Sequence, residues 1–194
     1  MKKLSLKIKL LFIGIFFLIQ SNRYLLASEI EPALPLDEIK IHDTGEYLNI
    51  KSIGSRIAEA SKIDVRVIIT KEGKADACVY PDGTIVLTEG LINLAANDSE
   101  IAFVIAHEVG HITMGHYRQE IVYSMLDDLS FPERAKEEVE ADLHGAVFMQ
   151  MAGYDPASAV SLLIKMLETR SDASAYFSER IDTLNHFISQ YNKE

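Results

Sequence analysis

Two periods run through the apolar positions of this chain. Tyr47, Ile50, Ile53, Gly54, Ile57 and Ala58 fall on one face of a 3.6-residue repeat, and Asp43 with Glu46 has the spacing of a helix-capping pair. They predict a helix over residues 43–61. The period then drops to two. Residues 65–70 are rich in β-branched side chains, residues 75–80 continue in the same manner, Pro81-Asp82-Gly83 marks a turn, and residues 84–88 follow. These predict three strands in a small antiparallel sheet, the last leading into a short helix at residues 91–96. Asn97 and Glu100 repeat the capping pattern and open a strongly helical stretch over residues 98–116. Residues 118–129 fit either an extension of that helix or a flap. Ser130 and Glu133, with Pro132 in the first turn, predict a further helix to Ala152, stopped at Gly153. Asp155-Pro156 opens the next, to about Thr169, and a last helix covers roughly residues 178–191. The predicted class is α+β and mainly helical, with no internal repeat.

The N-terminus has a different character. Lys2, Lys3, Lys7 and Lys9 precede an apolar run from Leu10 to Ile19, too short to span a bilayer but suited to a secretory signal. Cleavage after Ala27 gives a signal peptide over residues 1–27, an extended arm over residues 28–42 with Pro32 and Pro35, and a folded domain over residues 43–194. Loss of the five basic residues in the leader takes the net charge from −10 to −15. Nucleic acid and anionic membranes are therefore poor partners. The single cysteine, Cys78, rules out an internal disulfide framework and reads as a small apolar residue in a strand.

The chemistry concentrates in His107-Glu108-Val109-Gly110-His111. Residues four apart share a helix face, so two imidazoles at that spacing can bind one metal ion, with Glu108 beside them to act on a water there. A catalytic zinc site takes three protein ligands and leaves one position open. Glu138-Val139-Glu140-Ala141-Asp142 offers the third: Glu138 and Asp142 share a face, so one carboxylate can bind zinc while the other accepts a hydrogen bond from a ligating imidazole. Taken alone, that acidic run would be a solvated face. Its place after the histidine pair, with Ala141, Gly145 and Ala146 allowing close helix packing, favours the ligand reading. His116 lies about 140° round the helix from His111 and reads as structural or exposed, and His144 lies about 240° from Glu138 and is expected to face away from the metal. His42 and His186 have no supporting context.

These segments resemble a zinc metallopeptidase family of the gluzincin type, the one that includes HtpX, BepA and the CaaX-processing membrane protease. Residues 100–116 (EIAFVIAHEVGHITMGH) resemble its active-site helix, residues 138–146 (EVEADLHGA) the segment bearing the zinc-binding Glu and a supporting Asp, and residues 76–92 the segment before the active-site helix. The resemblance covers about residues 43–190, with GYDP at residues 153–156 in keeping. It implies a zincin-like fold and one Zn2+ per chain held by His107, His111 and Glu138. Asp142 would support a ligand, and the strand carrying Ile85, Val86 and Leu87 would pair with extended substrate. The sequence departs from the family at one point. A His-Pro pair expected six residues before Arg180-Ile181 is replaced by Ser174 and Ala175. Tyr176 or Arg180 could supply transition-state or structural support in its place.

The expected function is zinc-dependent endopeptidase action on unfolded or flexible cell-envelope proteins, by an exported, periplasmic or secreted protein. Glu108 would be general base and acid. The alternative is a chaperone-like or assembly factor on the same fold with weak or latent hydrolysis. A zinc-stabilised scaffold without chemistry is the third reading, disfavoured because a structural site has no use for Glu108.

Overall fold

A computed structural model describes residues 48–80, 82–116, 123–124, 132–169 and 174–191. The leader, the arm, the Asp43–Glu46 cap and Ser130 lie outside the described residues. Helix α1 (Leu48–Ser61) buries Ile50, Ile53 and Ile57, the face its periodicity marked. Three strands follow: β1 (Arg66–Thr70), β2 (Ala77–Val79) and β3 (Thr84–Thr88). A two-residue strand, β4 (Tyr123–Ser124), completes a sheet of order β1-β3-β2-β4.

The sheet is mixed, which corrects the antiparallel expectation. β2 pairs antiparallel with β3 and β4, but β1 runs parallel to β3, with Val67 opposite Ile85 and Ile69 opposite Leu87. β1 and β2 do run in opposite directions, as a hairpin would, but β3 has inserted between them. Burial explains the order: all five residues of β3 are buried, and a strand without a polar face takes the centre of a sheet.

After the short α2 (Glu89–Leu94) comes α3 (Asp98–Met114), the helix around which the rest is built. It is apolar on nearly every side because α1, β2 and two later helices all pack on it. Its start is fixed twice. The Asn97 side chain accepts a hydrogen bond from the Glu100 amide at 3.0 Å. The buried Glu100 carboxylate accepts from the Ala96 amide at 2.7 Å and from Lys165 Nζ at 2.6 Å. Its end is Gly115, at φ 68°, in the left-handed region that suits glycine.

Helix α4 (Pro132–Met151) lies along α3, α5 (Ala157–Thr169) buries Leu162, Leu163 and Met166, and α6 (Ser174–Tyr191) buries Phe177, Arg180 and Leu184. α6 begins one turn before the expected residue 178. α3 ends at Met114, and of residues 118–129 only Tyr123 and Ser124, in β4, lie among the described residues. Among the described residues no helix is long and apolar enough to cross a membrane.

Candidate metal centre

Where α3 and α4 cross, each brings glycine to the other's backbone. A Cβ on Gly110 would stand 2.7 Å from the Ala141 carbonyl oxygen, and one on Gly145 would stand 3.0 Å from the His107 nitrogen. This close approach brings carboxylates on α4 to side chains on α3. The three side chains singled out as ligands meet there. His107 Nε2 and His111 Nε2 are 3.1 Å apart, Glu138 Oε2 is 3.3 Å from His107 Nε2, and Glu138 Oε1 is 3.4 Å from His111 Nε2. All three are buried, and together they form a group that can hold a metal ion. Donors about 2.0–2.1 Å from a tetrahedral zinc stand about 3.3 Å from one another, so the spacing fits that ion.

The other face of His107 is held by Asp142, whose Oδ1 lies 2.9 Å from Nδ1. Asp142 in turn accepts from Arg180, Nε to Oδ2 at 2.7 Å and Nη2 to Oδ1 at 2.7 Å. Arg180 Nη1 donates to the Tyr176 hydroxyl at 3.1 Å and stands 3.1 Å from Glu138 Oε2, within ion-pair distance although not aligned as a hydrogen bond. Arg180 is thus a fully buried cation committed to two carboxylates and a phenol. Tyr176, half-buried, is tied to the same group. Ser174 opens α6.

Electrostatics follow from this packing. Burial would raise Glu138, but the Arg180 charge and the two imidazoles hold it well below the usual carboxylate range. Asp142 is likewise held down against burial by Arg180 and His107. Burial would lower His107, yet its hydrogen bonds to Asp142 and Glu138 raise it to about 9. Burial lowers His111 to about 4. Two ionised carboxylates face one guanidinium, so one further positive charge balances the group: the protonated His107 supplies it without a metal, and a metal ion would take the place of that proton. Glu108 differs from both. Burial pushes it up to about 8, and neither of its buried oxygens has a hydrogen-bond partner.

One expectation changes here. Ile85, Val86 and Leu87 lie on β3, whose two edges are taken by β1 and β2, so its backbone has no free edge for an extended peptide. Arg180, expected to give transition-state or structural support, lies against the Asp142 and Glu138 carboxylates. His116, read as structural or exposed, is buried with its Nδ1 2.9 Å from His111 Nδ1. The helical-wheel angle does not apply to it, because the left-handed Gly115 ends the helix and turns the chain back. A Gly-His pair after a metal-binding helix was the available signal. His144 touches none of the three ligands; its ring packs on Phe148.

Two histidines and a glutamate on one helix, met by a carboxylate of a second helix, give the arrangement expected from the resemblance to gluzincin-type metallopeptidases. Residues 46–132 match Peptidase family M48. Among this chain's relatives is Mitochondrial metalloendopeptidase OMA1 of Arabidopsis thaliana, 31% identical over 133 residues, which are 57% of this chain and 27% of the relative. The Saccharomyces cerevisiae protein of the same name is 23% identical over 138 residues, 59% of this chain and 40% of that one. Beta-barrel assembly-enhancing protease of Escherichia coli K12 is 23% identical over 160 residues, 63% and 32% of the two chains. The chain therefore spans well under half the length of these relatives.

Proposed function

We propose that this protein is a zinc-dependent endopeptidase acting on unfolded or flexible proteins, and that it works in the cell envelope. The observation that carries the reading is the buried Glu108 carboxylate, without a hydrogen-bond partner, beside the convergent His107, His111 and Glu138. A purely structural centre has no need of such a group. His107, His111 and Glu138 hold the metal in this reading, and zinc supplies Lewis acidity toward water and the scissile carbonyl. Glu108 takes the proton of the attacking water and delivers it to the leaving amine. Asp142 keeps the His107 proton on Nδ1 and leaves Nε2 free to bind. Arg180 and Tyr176 hold Glu138 and Asp142 in place, a supporting role rather than one on the substrate. The names of the relatives, two metalloendopeptidases and a protease, agree with peptide-bond hydrolysis. The basic and apolar N-terminal sequence and the name of the Escherichia coli relative support an exported location and envelope clients.

The test is digestion of an unfolded protein by the zinc-loaded chain, beside Glu108→Gln with its zinc content measured. Cleavage by the wild type, lost in a variant that keeps its zinc, is the expected result. Equal cleavage by both would remove Glu108 from the mechanism. Absence of cleavage by zinc-loaded wild type would overturn the proposal in favour of a binding role.

A further inference from the structure

The two ligand histidines of this centre are not held alike. His107 rests on a carboxylate, but His111 rests on a second imidazole. Its Nε2 points to the ligand group, and its Nδ1 lies 2.9 Å from His116 Nδ1. The His116 ring stands edge-on to it, with centroids 5.1 Å apart at 68°. On its far side, His116 Nε2 lies 3.2 Å from Glu140 Oε2, and Glu140 takes Lys136 at 3.4 Å. The backbone reinforces the contact, since the His116 amide donates to the His111 carbonyl at 3.2 Å across the turn at Gly115. His116 is 7% exposed, too buried to be an incidental surface neighbour.

We propose that His116, backed by Glu140, is a positioning residue that fixes the tautomer and plane of the His111 imidazole for metal binding. The inference rests on the metal-centre reading above. A neutral imidazole that offers Nε2 to a metal carries its hydrogen on Nδ1, and that hydrogen needs an acceptor. His116 Nδ1 lies within reach, and it can accept only if His116 carries its own hydrogen on Nε2. Glu140 Oε2 stands where that hydrogen must go. The proton positions are therefore determined in one direction, from Glu140 through His116 to His111. Lys136 pairs with the other Glu140 oxygen at the exposed rim. The centre thus has one histidine backed by a buried carboxylate and one backed by a neutral ring, whose carboxylate lies one residue further out at the rim.

The experiment measures zinc affinity by chelator competition on the full chain and three variants, together with the visible spectrum of the cobalt-substituted forms. His116→Ala should weaken zinc binding about 10- to 100-fold, the effect of losing a partner of a ligating histidine, and should shift the cobalt bands. His116→Asn places an amide oxygen near the lost Nδ1 and should restore most of the affinity and the wild-type spectrum. His116→Gln reaches past that position and should not. Wild-type affinity in His116→Ala would overturn the proposal, as would equal loss in all three variants, which would mean packing alone. Failure of the wild type to bind zinc would instead overturn the metal-centre reading. If His116→Ala does not fold, the contrast between Asn and Gln decides.

Discussion

His107 Nδ1 and Asp142 Oδ1 stand 2.9 Å apart across the α3–α4 packing, both almost wholly buried. The bond ties a ligand of one helix to a carboxylate that Arg180, from a third helix, grips with two nitrogens. Asp142→Ala removes the acceptor that sets the His107 tautomer. Zinc affinity should fall about 10- to 100-fold. Asp142→Asn keeps an acceptor oxygen but no charge, so its loss should be smaller. Competition against a chelator measures both, and wild-type affinity in the Ala variant would deny Asp142 its role.

Arg180 tests the same network from its other end. Arg180→Met leaves Asp142 and Glu138 buried together without their cation, an imbalance that costs about 3–5 kcal/mol when one partner of a buried pair is removed. Bound zinc neutralises part of that charge. The loss measured by urea denaturation should therefore be larger in chelator than in zinc. Arg180→Lys should rescue poorly, because a single ammonium cannot make the paired contacts to both Asp142 oxygens. An equal loss with and without zinc would separate Arg180 from the metal centre.

How much of this was legible in the sequence differs by element. The ligand group was, because spacing on a helix converts directly to position on a face: His107 with His111, and Glu138 with Asp142, needed no tertiary information. The sheet was read only in part. Strand positions came through, but order and direction depend on which strand is buried on both faces, and the insertion of β3 between β1 and β2 is a tertiary choice. His116 was read as structural or exposed, but its contact with His111 was not foreseen, because a wheel extended past Gly115 assumes a helix where the backbone has turned to φ 68°. Arg180 was marked by resemblance alone, since nothing local shows that a residue on α6 will be buried against α4. Gly110 passed unremarked inside the motif, although it sets the approach of the two helices.

Zinc should stabilise the fold as well as equip it. Its ligands come from two helices, so an unfolded chain presents no assembled site. At free zinc about a thousand times its Kd, the gain is about 4 kcal/mol. Chelation should lower the melting temperature and added zinc should restore it, while a His107→Ala, His111→Ala double variant should show no response. A melting temperature indifferent to zinc would contradict the assignment of the group as a metal centre.

His144 predicts a pH effect outside the ligand group. Burial lowers its pKa from 6.5, His116 lowers it further, and Glu140 opposes them. The unfolded chain therefore takes up this proton first as the pH falls. Stability should be unaffected above about pH 6.5 and should decline below it until the folded-state value is reached. His144→Leu should remove that part of the decline. Urea midpoints for metal-free wild type and variant at several pH values between 5 and 7.5 check it, and parallel curves would refute it.

Gly110→Ala isolates helix approach from metal chemistry, because it alters no ligand and no charge. The added methyl would stand 2.7 Å from the Ala141 carbonyl oxygen and 2.9 Å from the Ala141 Cα, both backbone atoms that cannot rotate away. α4 must therefore shift from α3 near the residues that carry Glu138 and Asp142. The overpacking should cost about 1–3 kcal/mol of stability in the metal-free protein. The displaced Glu138 should weaken zinc binding in addition, so the variant should respond less to added zinc than the wild type does. Gly54→Ala provides the comparison. Its methyl would meet the Val67 side chain at 3.0 Å, far along the chain from every ligand. It should change stability without changing zinc affinity. If Gly110→Ala lowers stability but binds zinc as tightly as the wild type, the close approach at Gly110 serves packing alone.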